Sequence, residues 1–209
     1  MVAASPEVVT STAELEELIG LPLPRTRDKV RPRLTSLDVE WLAASPFCVL
    51  ATSDAEGRCD TSPKGDPAGS LVHVLDDRHL AIAERPGNRR VDGYRNVLQN
   101  PHVGLLFVVP GRGDTLRVNG RARLLRDAEW FDQLEVRGSR PVLALEVEIE
   151  EVFSHCAKAF LRSRLWEPDS WQPDALPSRA RIAQALERPE DDLAELERYY
   201  GPSYAERLY

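Results

Sequence analysis

The chain has 209 residues, 42% of them hydrophobic and 29% charged, and carries a formal net charge of −7. That length supports one sizeable core, and the composition is that of a soluble globular protein. An acidic balance excludes non-specific nucleic-acid binding, which needs a field of Lys and Arg, so any anion site has to be local.

The opening MVAASPEVVTSTAELEELIG has neither a basic n-region nor an apolar h-region, so it does not read as a signal peptide. No apolar run approaches the length of a membrane span. Residues 1–33 read as a peripheral segment. In it, STAELEELIG has a cap residue, a following Glu and a closing Gly, which predicts a short helix. PLPRTRDKVRPRL is proline-rich and basic and reads as surface chain. TSLDVEWLAAS predicts a second helix, capped by Thr35 or Ser36, with Leu37, Trp41 and Leu42 as its apolar face.

The period then changes. FCVLATSD is strand-like and leads through a Glu-Gly turn into AEGRCDTSPKGD. SLVHVLDD and HLAIAE flank Asp76, Asp77 and Arg78, a second hairpin signal. A helix running from Arg89 to about Leu98 follows, stopped by Asn100-Pro101. HVGLLFVVPG and DTLRVNGRARLLR are two strands joined at Pro110-Gly111-Arg112-Gly113. DAEWFDQLEVRG predicts a short helix capped by Asp127, and PVLALEVEIEEVFSHC a long strand. From about residue 157 the pattern is helical, in AKAFLRSRLW, PSRARIAQALE and EDDLAELERYYG. Six or seven strands in hairpin order with no βαβ repeat point to a mainly β chain with peripheral helices, folded as a closed or nearly closed antiparallel barrel.

Three stretches carry candidate chemistry. In DTSPKGDPAG, Ser62, Lys64 and Gly65 near the end of a strand offer a hydroxyl, an ammonium and backbone N–H groups to a phosphate or a ring carbonyl; otherwise the stretch is a polar hairpin loop. In ERPGNRR, Arg89 and Arg90 at the first turn of a helix oppose its macrodipole unless an anion neutralises them. The alternative there is a solvated pair, or pairing with Asp92 or Glu84. In HCAKAFLRSRLW, Lys158, Arg162 and Arg164 could close over an anion and Trp166 could stack on a flat ring; otherwise Ala159, Phe160 and Leu165 pack an ordinary helix inward.

Other motifs read as structural. Cys48, Cys59 and Cys156 form an odd set without paired spacing, expected to be reduced thiols in a cytoplasm. The adjacent His155 and Cys156 are poorly placed to share one metal, and no metal motif is present. There is no GxSxG, and His73 and His79 lack an evident nucleophile. Arg117 and Arg121 on one strand line a groove or face solvent.

Taken together, TSPKGD, then LAIAERPGNRRVDGYRNVLQNPHVGLLFVV, then LRVNGRARLL and HCAKAFLRSRLW resemble the pyridoxamine 5'-phosphate oxidase-like FMN-binding split barrels, in detail an actinobacterial-type subgroup of FMN-dependent flavoproteins. The resemblance runs over residues 34–166, with 1–33 as an N-terminal segment and 167–209 as a helical extension. It implies a six- to seven-stranded antiparallel split barrel, a homodimer with FMN at the subunit interface, and oxidoreductase activity on a small organic substrate. Carried over, Ser62 and Lys64 lie along the flavin, Asn88, Arg89 and Arg90 take its phosphate, and Lys158, Arg162 and Trp166 approach a flavin site. The turn reads Asn-Arg-Arg where the vitamin B6 enzyme has Ser-Arg-Lys, and the oxidase's C-terminal Arg and His substrate motif is not evident, which argues against pyridoxamine phosphate as substrate. Relatives of this kind also include F420 and haem binders, and a protein that stores or senses FMN without turnover is the alternative from another class.

Overall fold

The computed structural model describes residues 6–206 and 208. It separates into two compact units, residues 1–30 and residues 31–209. In the first, α1 (Thr12–Ile19) forms as expected: the Ser11 hydroxyl accepts from the Glu14 amide, and Gly20 closes the helix at φ 79°. The proline-rich stretch contains one unexpected helical turn, α2 (Pro24–Arg27), started by a proline in its first position.

The second unit is built on α3 (Ser36–Ala44) and seven strands: β1 (Phe47–Ser53), β2 (Cys59–Gly65), β3 (His73–Val74), β4 (His79–Ala83), β5 (His102–Val108), β6 (Thr115–Leu125) and β7 (Ala144–His155). They form one antiparallel sheet in the order β2-β1-β5-β6-β7-β4-β3, the mainly β split-barrel architecture expected. α4 (Asp92–Val97) lies between β4 and β5 in the chain, and α5 (Lys158–Ser163), α6 (Arg179–Leu186) and α7 (Leu193–Tyr199) follow β7. Among the described residues no helix is long and apolar enough to cross a membrane.

Strand alternation selects the core. Cys48 and Leu50 of β1, Leu105 and Phe107 of β5, Leu116 and Val118 of β6, and Leu145, Val147 and Ile149 of β7 are all buried in one cluster, joined by Leu42 of α3 and by Tyr94 and Val97 of α4. Each inward side chain removes apolar surface from water, and along β1 the residues between them are exposed or half-buried. The register of β6 against β7 shifts between Asn119 and Gly120. A Cβ on Gly120 would sit 2.0 Å from the Glu148 carbonyl oxygen, so the bulge depends on a residue without a side chain.

Four local expectations need correction. Leu37 of α3 is 72% exposed; Leu42 is buried and Trp41 packs against the core as expected, but the third inward position is taken by Asp38. Asp38 completes a capping box with Thr35 and also receives both bonds from Arg31, at 2.7 and 2.8 Å, which turns an acidic residue inward. The segment after β6 gives only one 3-10 turn, Phe131–Leu134, because the Asp127 carboxylate is engaged by Arg140 at 2.8 Å instead of capping a helix. The helix expected from Arg89 begins at Asp92: Arg89 takes a left-handed φ of 62°, and the Arg90 amide donates to the Asn88 side chain at 2.9 Å, a turn that blocks helical extension backwards. Finally, Ser62 and Lys64 lie within β2, not at a turn; Pro63 is tolerated between them because β2 is an edge strand.

Gly120→Ala is expected to lower unfolding free energy by about 1–3 kcal/mol, the range for forcing an added methyl into a packed site. Chemical denaturation checks it, with Gly57→Ala, where no atom lies within 4 Å of the added carbon, as the strained-turn comparison.

Candidate functional site

The pleat of β2 places Asp60, Ser62 and Lys64 on one face, opposite Thr52, Leu50 and Cys48 of β1. α4 stands over this face and is fixed to it by side chains. Asn96 donates to Asp60 at 2.8 Å and to Thr52 at 3.1 Å. Four residues along β2, roughly 13 Å away at strand rise, Lys64 Nζ donates to Glu84 Oε2 at 2.7 Å and to the Tyr94 hydroxyl at 3.1 Å. Tyr94 in turn donates to the same Glu84 oxygen at 2.7 Å. Gly93 stands between the two clamps; a Cβ there would come within 3.3 Å of Thr52 Oγ1, so the helix approaches the strand this closely only without a side chain.

Between the clamps is a cleft of about 460 Å³, lined by Asp60, Ser62, Lys64, Glu84, Asn88, Arg90 and Asp92 among others. It lies where the sheet is split. β2 is one edge of the sheet and β4 is next to the other, and among the described residues no backbone ladder joins them. Lys64–Glu84 at 2.7 Å and Asp66–Arg85 at 2.8 Å cross the gap instead.

Of the expected site residues, Ser62, Lys64, Asn88 and Arg90 line the cleft. Arg89 is next to it in the chain, exposed, and forms no ion pair with a described residue. Lys158 and Arg162 are exposed on α5, also without an ion pair among the described residues, and do not line the cleft of their own chain. Trp166 stacks on Phe160 with centroids 5.8 Å apart and donates its indole N–H to the Arg112 carbonyl at 2.6 Å. Neither Ala159 nor Leu165 is packed inward, and α5 buries no residue. Arg117 lies over the Phe153 ring at 4.3 Å, whereas Arg121 meets His102 at 3.1 Å, so the two do not converge.

Asp60, Glu84, Gly93 and Tyr94 escaped the sequence reading. Alternation with Ser62 and Lys64 could have found Asp60. Glu84 and Tyr94 come from other elements and carry no local signal.

The cleft sits over a dry wall. Burial pushes the Cys48 thiol up to about 12, partly offset by the Lys64 ammonium. Burial, then the hydrogen bond and charge of Glu84, also push the Tyr94 phenol up. Both groups therefore stay protonated at neutral pH.

The sequence model of the pyridoxamine 5'-phosphate oxidase family matches residues 35–156, more than half of the chain. The chain belongs to the pyridoxamine 5'-phosphate oxidase family. The matched region contains all seven strands, both clamps and the cleft. Among solved structures, HupZ from Group A Streptococcus is 20% identical with a TM-score of 0.46, over 58% of this chain and 93% of that one. An FMN-binding protein from Syntrophomonas wolfei is 14% identical with a TM-score of 0.43, over 57% and 89%. A protein related to general stress protein 26, of the pyridoxinephosphate oxidase family, from Clostridium acetobutylicum is 17% identical with a TM-score of 0.43, over 57% and 85%. No curated protein matches the chain.

Cys48 and Tyr94 hold their protons more tightly folded than unfolded. For Cys48 the stabilisation is complete below the ordinary thiol value of 9.0 and is lost as pH rises toward about 12, and for Tyr94 the loss begins above the ordinary phenol value of 10.0. Denaturation of the wild type should therefore become easier from pH ~9 upward, and Cys48→Ala should flatten that loss. In parallel, a thiol reagent should label the exposed Cys59 and Cys156 in the native protein and Cys48 only after unfolding.

Proposed function

We propose that this family member is an FMN-dependent oxidoreductase acting on a small organic substrate, as a homodimer in the cytoplasm. The observation that carries the reading is the cleft between β2 and α4, with Arg89 beside it and in no ion pair with a described residue. Its volume of about 460 Å³ falls within the roughly 300–1,000 Å³ of clefts that take cofactor-sized ligands. The residues present suit a phosphorylated flat ring: hydroxyl and amide donors from Ser62 and Asn88, a side-chain-free approach at Gly93, and the Arg90 guanidinium in the wall with Arg89 next to it in the chain.

In this reading Arg89 and Arg90 hold the phosphate through bidentate charge-assisted bonds. The short α4 is not the phosphate holder; the guanidiniums are. Arg90 is paired with Asp92 at 2.5 Å, but its side chain is 78% exposed, and exposed pairs exchange partners readily. The left-handed backbone of Arg89 is uncommon outside glycine, and such positions cluster at ligand sites. Ser62 and Lys64 lie along the ring, with Asn88 orienting the turn. FMN, when bound, supplies hydride or electron transfer from its ring. The chain supplies orientation, exclusion of water by the buried wall, and hydrogen bonds to ring atoms.

The dimer is supported by an exposed apolar strip on the outer face of the sheet. Val49, Ala51, Gly104 and Leu106 line an open hollow of about 340 Å³ there. α5, with Leu161 68% exposed and no buried residue, offers a second apolar surface. Lys158, Arg162 and Trp166 would then serve a flavin site at the subunit interface.

The first experiment is the visible spectrum of the purified protein with the mass of the released ligand; an FMN spectrum and mass are expected. The Arg89→Ala/Arg90→Ala variant should lose FMN affinity by about 100-fold or more, since two charge-assisted contacts go, with an unchanged melting temperature. Full flavin content in that variant would remove the phosphate assignment. NADH or NADPH should bleach the flavin with steady turnover in air; binding without turnover would make this a flavin-storing or sensing protein.

A further inference from the structure

We infer that the Lys64 end of the cleft takes an uncharged hydrogen-bond acceptor, a carbonyl or imide on a flat ring, and that Glu84 is the residue that keeps anions out of it. The inference rests on the cleft being the ligand site proposed above.

The donors of Lys64 and Tyr94 are committed but for one proton. An ammonium has three N–H donors. One goes to Glu84 Oε2 at 2.7 Å and one to the Tyr94 hydroxyl at 3.1 Å. Tyr94 spends its only proton on the same carboxylate. One Lys64 donor is left for the cleft, and its charge is already balanced by a carboxylate in contact.

No other cation at this end of the wall is spare. The lining cations are Lys64 and Arg90, against the carboxylates Asp60, Glu84 and Asp92. Arg90 is held by Asp92, and Asp60 receives Asn96. Behind Lys64 a recess of about 190 Å³ reaches Asp66 and Arg85, which pair with each other at 2.8 Å. An anion entering at Lys64 would meet Glu84, with Asp66 in the recess behind it, and no uncommitted positive charge at that end. A neutral acceptor needs only the one donor that remains.

The Lys64–Glu84 pair does not open as the Arg90–Asp92 pair does. Its side chains are 17% and 25% exposed, against 78% for Arg90. Removing either partner from such a site strands the other with little water to solvate it. The two ends of the cleft therefore differ in kind: cations free to exchange at Arg89 and Arg90, and a neutralised lysine at the other end. A substrate or ring bearing a second phosphate or a carboxylate is rejected there, and Glu84 sets that specificity.

The test titrates the full-length protein with nicotinamide and nicotinate, the same flat ring with a neutral amide or a carboxylate, reading amide chemical shifts of Ser62 and Gly93. Wild type should bind nicotinamide at least about tenfold more tightly. Glu84→Gln, which keeps a hydrogen-bonding group beside Tyr94 and removes the charge, should reverse the order. Lys64→Met/Glu84→Gln removes both charges, strands no ion, and should exclude nicotinate again. Nicotinate binding to wild type as tightly as nicotinamide overturns the inference, as does a folded Glu84→Gln protein that still rejects nicotinate, or no binding of either probe. Riboflavin on the same samples identifies the acceptor. A tenfold loss in Lys64→Met/Glu84→Gln relative to wild type supports a flavin carbonyl at the ammonium; unchanged riboflavin with nicotinamide binding lost in that variant supports a substrate carbonyl. If neither FMN nor riboflavin binds while nicotinamide is still preferred, the flavin reading fails and this inference stands.

Discussion

One carboxylate oxygen, Glu84 Oε2, holds three elements together. It accepts from Lys64 of β2 and from Tyr94 of α4, and it follows directly on β4. β2 lies at one end of the sheet order and β4 next to the other, and they share no ladder among the described residues. With the neighbouring Asp66–Arg85 pair, this contact does across the split what backbone hydrogen bonds do elsewhere. A ladder there would have filled the gap with paired strands. Side-chain pairs close it at one end and leave a cleft along the rest.

That arrangement follows from features of each strand. Pro63 gives β2 one fewer amide to offer a further strand. β3 is only two residues long, so it covers little of β4. Gly93 lets α4 settle onto Thr52, which brings Tyr94 and Asn96 within reach of Lys64 and Asp60. The polar groups so buried are satisfied in pairs and triples, which is the condition for burying them.

The fold was legible because hairpins are local. Strand-like runs separated by Gly- and Asp-containing turns marked the six or seven strands expected, and the sheet has seven. Helix starts were less legible, since a start depends on which competitor takes the capping group. Asp127 was lost to Arg140, thirteen residues away in the chain, and Asn88 formed a turn that moved the start of α4 to Asp92. The site was legible only where it was local: Ser62 and Lys64 on one strand, Asn88 to Arg90 in one turn. The link from Lys64 to Glu84 and Tyr94 spans 20 and 30 residues and crosses the split, and no pattern in either segment announces it.

The macrodipole argument that singled out Arg89 and Arg90 changes its footing for the same reason. α4 starts at Asp92 with that acidic residue in its first turn, as its dipole prefers, so no arginine opposes the helix. What remains is a matter of pairing. Most arginines of this acidic chain have a carboxylate partner, from Arg31–Asp38 to Arg179–Glu187. Arg89, Lys158 and Arg162 have none among the described residues, and all three are exposed on a turn or on a helix that buries nothing. The α5 segment is nevertheless fixed in place: Trp166 bonds the Arg112 carbonyl, and a Cβ on Gly113 would lie 2.7 Å from that of Ala157. Its cations are thus presented outward from an anchored segment, not left on a loose tail. The chain keeps its uncommitted positive charge on the surface, where an anion can reach it at little desolvation cost. Its committed charge lies in the split, where a neutral group meets no opposition.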